Sequence, residues 1–515
     1  MALQIWLPLN GDTRQQGLSG AVISGAPSSW GNGNLGKCAT FAGNAVIKTA
    51  SVHDFDYLDN FSWAVWLNTN YTGTISQYVF TVGRADWTTF GYALEVASAT
   101  QCQARFGSSG WMFDVTGGQW SHVAFVKSGT KIKIYVNGVV QVNATFGGTA
   151  PTFADSVGLG IGCFHYSGGD IYHYNGCIAD FRIYDNALSP KEVHEIAQGL
   201  CCHYPLNDPY ATGSINKYSG DNFEGKPSGS SYTVTKLANE RGYNYKLSYT
   251  GTGNNTWPNF YFPTFSFTAD KTYDYSCDFD LKDVCVSECS TAASGSNGAR
   301  SDLTVYDTSG FGNHGSVTST CRPVLARNSP MYYRCYEFPY KNYITGKMPF
   351  SGQAASKFTI SVWLNQIEGG AYSTWLNSNG YGGSGLWLAV NTEGCAQWGY
   401  RNVSPNYVKG GSNIAVNTWH LFTYVYKEGV ATWYLDGKKN CSAAYTDKTI
   451  MLANTFTLGD SYVGNDWNTN FHGKLSDFRI YATALSDADI AELYNTPVSI
   501  TSTGTMMTKG EVVET

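Results

Sequence analysis

The chain has 515 residues, 43% of them hydrophobic, 15% aromatic and only 14% charged. That is enough apolar content for several packed cores, and a formal net charge of −6 leaves no basic footprint for nucleic acid. No run of about 18 apolar residues exists to span a membrane, and the composition is not that of a disordered chain.

The opening, "MALQIWLPLNGD", has neither a basic n-region nor an apolar h-region. It reads as a first strand starting almost at Met1, with no secretion signal. "FSWAVWLN" at 61–68 alternates Phe61, Trp63, Val65 and Leu67 against Ser62, Ala64, Trp66 and Asn68, the period of a strand. "HVAFVKSGTKIKIYVNG" is two strands about a Ser-Gly-Thr turn, and its closing Asn137-Gly138 is a type I′ hairpin signal. "ADFRIYDNAL" is a further strand. "LSPKEVHEI" is a short helix, with Ser189 at the N-cap, Pro190 at the first helical position and Glu192 closing a capping box. Val193 and Ile196 give it one apolar side.

The same order of blocks then returns. "FTISVWLN" begins at 358, 297 residues after "FSWAVWLN". "WHLFTYVYKEGVATWYLDG" begins at Trp419, 299 after its counterpart at Trp120, and its turn is Asp436-Gly437. "GKLSDFRIYATALSDADIAEL" begins at Gly473, 297 after "GCIADFRIYDNALSPKEVHEI", and repeats the helix with Ser486, Asp489, Ile490 and Leu493. Two copies of roughly 200 residues are too few and too long for a solenoid, so each should own a core. One block breaks the spacing. "WLPLNGD" starts at Trp6 and "YPLNDP" at Tyr204, an offset of only 198, which falls 99 short. An insertion after the first strand of the second copy accounts for the deficit. The expected domains are therefore 1–200, a discontinuous 201–213 with 303–496, an insertion at 214–302 and a tail at 497–515. "VYDTSGFGNHGSV" at 305–317 marks the re-entry as strand, glycine turn and new strand. The tail is β-branched without helical pattern, either a strand for another subunit or a loose end.

The 13 cysteines are irregularly spaced. A disulfide framework would repeat with the domain, and only Cys102 and Cys395 look equivalent, so mostly free thiols and a reducing compartment are expected. The pair Cys285 and Cys289 lacks a fourth ligand at zinc-like spacing.

Together "WSHVAFV", the "YVNG" and "YLDG" turns, "IADFRIYDNALS" and "DTSGFGNHG" resemble the laminin-G-like jelly rolls of the concanavalin A-like lectin and glucanase group. The resemblance covers nearly all of both copies. It implies an all-β fold of two antiparallel two-sheet jelly-roll sandwiches, the second interrupted by a smaller β-rich module, with one short helix ending each sandwich. It also implies binding of glycans or proteins through rim loops or the concave sheet, sometimes with calcium. In the insertion, "TADKTYDYSCDFDLK" resembles the middle strands of carbohydrate-binding jelly rolls. An unsecreted opening followed by such domains resembles bacteriophage virion proteins, which leave the cell by lysis.

An enzyme of this group needs two carboxylates roughly 5–9 Å apart. No Glu-x-Asp-x-x-Glu string occurs, Glu95 is alone on its strand, and Asp278, Asp280 and Asp283 fall in the insertion. Asp180 with Arg182, and Asp477 with Arg479, read as ties from the last strand to the sandwich, and His173 and His472 as rim residues. No catalytic residue is assigned. Sugar sites combine aromatic faces with amides or carboxylates, so loops rich in both are the candidates. In the first copy these are "GRADWTTFGY" (Trp87, Tyr92) and "FHYSGGDIYHYNG" (Tyr166, Tyr172). In the second they are "TWLNSNGYGGSGLW" (Trp375, Tyr381) and "DSYVGNDWNTNFHG" (Tyr462, Asn465, Trp467). If calcium binds, Asp170 and Asp466 are the candidate ligands; no other cofactor is expected. The leading expectation is a non-enzymatic virion-surface adhesin, in which two rigid scaffolds hold host or mucosal glycans and copies of the chain associate. A head-decorating or tail-assembly protein bound to other virion proteins is the alternative, and an accessory module of an extracellular glycan hydrolase the third. Neither nucleic acid nor membrane is an expected partner.

Overall fold

The computed structural model describes residues 3–206 and 304–500 apart from short internal breaks, among them 84–89, 379–384 and 460–470, together with 231–239, 242–250 and 506–508. Two antiparallel β-sandwiches account for most of it, as the block pattern predicts. In the first, one sheet takes the strands in the order Val139–Thr145, Lys131–Val136, Ser121–Ser128, Asn60–Thr69, Gly176–Tyr184, Gly36–Phe41, Ser29–Gly33. Leu3–Leu7 also pairs with Gly176–Tyr184. The opposing sheet runs Ser109–Asp114, Gln101–Gly107, Phe90–Val96, Gln77–Val82, Leu159–Ile161, Val46–Thr49, Ile23–Ala26. Alternation sends Phe61, Trp63, Val65 and Leu67 into the space between the sheets. There Trp63 stacks on Phe125 at 5.5 Å and Phe80 meets Phe181 edge-on at 4.9 Å.

The second sandwich repeats this order. Its first sheet centres on Lys357–Gln366 between Gly473–Tyr481 and Trp419–Lys427, and Leu200–Tyr204 pairs with Gly473–Tyr481. Its core is built on Trp375, Trp398, Trp433, Phe422 and Tyr424. The hairpins predicted from Asn137-Gly138 and Asp436-Gly437 have positive φ at both central residues, 51° and 79°, and 51° and 76°. The helix Pro190–Ala197 has the expected capping box: Glu192 N donates to Ser189 Oγ at 3.3 Å, and Ser189 N to Glu192 Oε2 at 2.6 Å. Asp487–Asn495 is its counterpart, with Ser486 and Asp489 in the same reciprocal bonds.

The register corrects one alignment. Leu7 pairs with Phe181 and Tyr204 with Phe478, so Tyr204 is the counterpart of Leu7, not of Trp6. His203 stands in the place of Trp6. Each reaches the acidic residue of the last strand: Trp6 Nε1 donates to Asp180 at 2.7 Å, and His203 Nε2 lies 2.8 Å from Asp477. Asp180 and Asp477 have φ of 51° and 54°, at the bulge where the strand changes partners. Arg182 Nε and Arg479 Nε donate to them at 2.8 and 3.0 Å, so these pairs are the structural ties expected.

A second correction concerns thiols. Val96 pairs with Cys102 and Val390 with Ala396, which makes Ala396 the counterpart of Cys102 and leaves Cys395 one residue away. None of the nine cysteines among the described residues is in a disulfide. Cys285 and Cys289 lie outside those residues.

The two sandwiches share an apolar contact. Leu35, Cys38, Trp66 and Ala179 of the first join a buried cluster with Cys201, Cys202 and the core of the second. Asn10 Nδ2 donates to the Phe311 carbonyl at 2.5 Å, and His194 Nε2 lies 2.5 Å from Asp489. Residues Pro209–Leu303, with 502–504, form a separate compact unit. Its described part is one hairpin, Ser231–Asn239 with Gly242–Thr250. In the tail, Val498–Ile500 pairs with Met506–Thr508, so the tail's strand pairs within the chain.

Candidate functional site

Sheet topology decides which loops can meet. Leu159 pairs with Val82 and Ile161 with Phe80, so the chain leaves Ile161 at the end where Gln77 begins. The connection from Val82 to Phe90 is at the opposite end. The second sandwich has the same arrangement, with Leu458 across from Leu376. The two candidate loops of each copy therefore spring from opposite rims and do not make one site.

Two candidates are withdrawn. Tyr92 is fully buried against Phe61, with ring centroids 4.9 Å apart. Trp375 is fully buried between Phe422 at 6.3 Å and Trp433 at 6.2 Å. Both belong to strands that border their loops, and the strand period turns them inward. Trp87, Tyr381, Tyr462, Asn465, Asp466 and Trp467 lie outside the described residues.

Tyr166 and Tyr172 come together on a small hairpin. Phe164–Tyr166 pairs with Gly169–Ile171 and lies on the outer face of the second sheet. Phe164 anchors it edge-on to Tyr78 at 4.9 Å. Tyr172 follows with φ of 50°, a backbone state that costs a non-glycine residue about 1–3 kcal/mol. The Tyr172 carbonyl accepts from Tyr78 N at 3.0 Å, and its ring sits 6.2 Å from Tyr78 and 6.1 Å from Phe164. The ring is nevertheless 39% exposed. A strained backbone thus holds an aromatic face toward solvent.

Beside it lies a charged cluster. Asp170 pairs with Lys48 and lies 2.6 Å from His165 Nδ1. Burial works to raise the Asp170 carboxyl, but hydrogen bonds from Lys48 and His165 outweigh it and hold the group below its usual value. Two basic partners already on this carboxylate make it a poor calcium ligand, and no cluster of three His, Cys, Asp or Glu suited to a metal occurs among the described residues. On the same sheet face Glu95 is nearly buried and bonded by Arg105 Nε at 2.5 Å.

The neighbouring rim holds a cavity of about 510 Å³ lined by Thr69, Asn70, Tyr71, Thr72, Thr100 and Gly117, among others. Asn70 N donates to the Asn175 carbonyl at 3.0 Å, which ties this rim to the segment carrying Tyr172. Sequence reasoning missed these residues. Apart from Tyr71 the lining is threonine, asparagine, glycine and alanine in turns, which carry no aromatic signal, and only folding brings these turns around one space.

The family model described as "Concanavalin A-like lectin/glucanases superfamily" matches residues 41–194 and 341–491, more than half of the chain. The chain belongs to the concanavalin A-like lectin/glucanases superfamily. Among solved structures, it is similar to domain 4 of an extracellular arabinanase from Geobacillus stearothermophilus, solved with arabinotriose, at 20% identity over 38% of this chain and 98% of that one, TM-score 0.31. It is similar to the binding domain of Paraclostridial mosquitocidal protein 1 at 19% identity, over 37% of this chain and 49% of that one, TM-score 0.31. It is also similar to the ligand-binding domain of botulinum neurotoxin serotype D, solved with N-acetylneuraminic acid, at 19% identity over 36% and 47%, TM-score 0.30. The chain spans about half the length of those two toxin domains. No curated protein matches its sequence. As a concanavalin A-like protein it has the sandwich fold; what it holds is argued from its own surface.

Proposed function

We propose that this concanavalin A-like chain is a non-enzymatic glycan-binding protein, and that it serves as an adhesin on the surface of a bacteriophage virion. The observation that carries the first part is Tyr172, a residue 39% exposed whose aromatic ring is held by a left-handed backbone. The apolar face of a sugar would rest on Tyr172, with Tyr166 on the same hairpin. The reading is non-enzymatic because the carboxylates on this face, Glu95 and Asp170, are each engaged in an ion pair, with Arg105 and Lys48, and no second free carboxylate accompanies them among the described residues of the hairpin.

Support for the virion placement is the resemblance noted in the sequence. Synthesis in the bacterial cytoplasm, release by lysis and association of several copies go with it, since weak sites gain from multivalency. A structural role among virion proteins is favoured by one different observation: the strand Val139–Thr145 ends its sheet with Val139 and Val140 exposed, a surface suited to a protein partner. A glycan array tests the main reading. Binding that disappears in Tyr172→Ala supports it; silence across the array, with the chain retained on purified particles, favours the structural role. Immunogold labelling of intact particles tests the placement.

A further inference from the structure

We propose that Cys177 is a modification site for hydroperoxides, and that Cys38 on the neighbouring strand resolves the product into a disulfide.

Gly176–Tyr184 pairs with Gly36–Phe41, which places Cys177 directly across from Thr40. Ile178 and Ala39 face the core, so Cys177, Thr40 and Cys38 share the outer face of the sheet. There the Thr40 hydroxyl lies 3.7 Å from Cys177 Sγ, and the side chains of Cys38 and Cys177 are hydrogen-bonded to each other. Two donors thus converge on one sulfur. On its other side Cys38 pairs with Gly31. A Cβ at Gly31 would come within 3.4 Å of Cys38 Sγ and 2.8 Å of Thr40 Oγ1, so no side chain covers the group from that position. Cys177 is partly exposed and Cys38 buried.

The surroundings favour one thiolate. The hydrogen bond from Cys38 lowers the Cys177 thiol from 9.0, burial works against it, and Thr40 adds to the lowering. The same bond, and then burial, raise Cys38, which keeps its proton and serves as donor. A partly exposed thiolate beside a protonated thiol is the arrangement of a peroxide-sensitive cysteine with its resolving partner.

The chemistry balances in two steps. The Cys177 thiolate attacks one oxygen of a hydroperoxide, the O–O bond breaks, and the departing oxygen takes up a proton. Cys177 is left as a sulfenic acid. The Cys38 sulfur then attacks the sulfenic sulfur, the S–O bond breaks, and the hydroxide leaves as water with the Cys38 proton. The two thiols together lose two electrons, and the peroxide gains them.

The second sandwich differs at the same positions. Gly473 lies across from Phe338 as Gly176 does from Phe41, so Lys474, Glu337 and Cys335 stand where Cys177, Thr40 and Cys38 do. With a lysine in place of the second thiol, Cys335 has no resolving partner there, and burial pushes it up to about 12. It is an internal control. The bridge would also act at a defined place. The ladder between its two strands runs only from Gly176–Phe41 to Ile178–Ala39, and Cys38 belongs to the buried cluster shared by the sandwiches. A bond from Cys177 to Cys38 would clamp the open end of that ladder beside the contact.

Treatment of the whole chain with hydrogen peroxide, alkylation in denaturant and peptide mass spectrometry test this. A cross-linked Cys38–Cys177 peptide should appear, while Cys335 is recovered alkylated. In Cys38→Ser the cross-link should vanish and a 1,3-dione probe should trap Cys177 as the sulfenic acid. Thr40→Val should slow native alkylation of Cys177 at pH 7 about threefold or more, since one donor to the thiolate is gone. Wild-type chain whose Cys177 stays reduced, or is oxidised no faster than Cys335, overturns the modification site. Cys177 that goes on to sulfinic acid without the cross-link overturns the resolving role of Cys38.

Discussion

His122 lies directly across the ladder from Trp66, their ring centroids 5.3 Å apart, and neither imidazole nitrogen has a hydrogen-bond partner. Burial, and then the charge of Arg182, push this histidine from 6.5 down to about 3. Val65 pairs with Val123 and Val362 with Phe422, so the counterpart of His122 in the second sandwich is Leu421. The folded pKa is depressed, so the neutral ring is tolerated above about pH 6.5 and becomes a liability as pH falls. The loss grows to the order of 4 kcal/mol near pH 3. His122→Leu should raise the melting temperature at pH 7 and raise it further at pH 4. A variant whose gain does not grow on acidification contradicts this account.

Asp477 is nearly buried and pairs with the partly exposed Arg479, with His203 as third member. Burial raises the Asp477 carboxyl, and the charge of Arg479 with the His203 bond outweighs it, so its pKa is lowered from 3.8. Its contribution to stability is present above that value and is lost as pH falls through the folded one. Asp477→Asn leaves the partly exposed guanidinium without its countercharge, at a cost of about 2–3 kcal/mol, below that of a fully buried pair. Chemical denaturation at pH 7 measures the loss; a cost under about 1 kcal/mol would mean the arginine finds another partner.

Tyr172 should show a trade between stability and binding. Tyr172→Gly relieves the left-handed backbone and should stabilise the chain by about 1 kcal/mol. The same change removes the exposed ring, so glycan retention should fall. A variant that is destabilised would show that the ring's contacts with Tyr78 and Phe164 outweigh the backbone cost.

Gly310 has φ of 87°, and a Cβ there would collide with the indole of Trp6. Gln16 Nε2 donates to its carbonyl at 3.2 Å. Gly310→Ala should therefore loosen the contact between the sandwiches before either core. Differential scanning calorimetry should show one transition splitting into two, or the leading edge broadening. An unchanged single transition would show that the contact does not couple them.

Much of the fold was legible because the signals are local. Period two in "FSWAVWLN" and "FTISVWLN", the positive-φ pairs Asn137-Gly138 and Asp436-Gly437, and the caps at Ser189 and Ser486 each act within a few residues. Repetition doubled each signal. The one-residue slips, Trp6 for Leu7 and Cys395 for Cys102, arose because letters were matched where only the hydrogen-bond ladder sets register.

The site was legible only in part. Tyr166 and Tyr172 stand out because aromatic residues cluster in a glycine-rich loop, and they do share a hairpin face. Tyr92 and Trp375 stand in equally aromatic stretches, yet a residue's side of the sheet depends on strand boundaries that composition does not mark.

By itself, then, the sequence determined the sandwiches, their duplication and their helix ends, since spacing and turn chemistry act along the chain. Tertiary structure alone decided which rim each loop occupies and which aromatic rings face outward, as Tyr172 does and Tyr92 and Trp375 do not. Those relations come from antiparallel pairing between distant strands, and no local pattern encodes them.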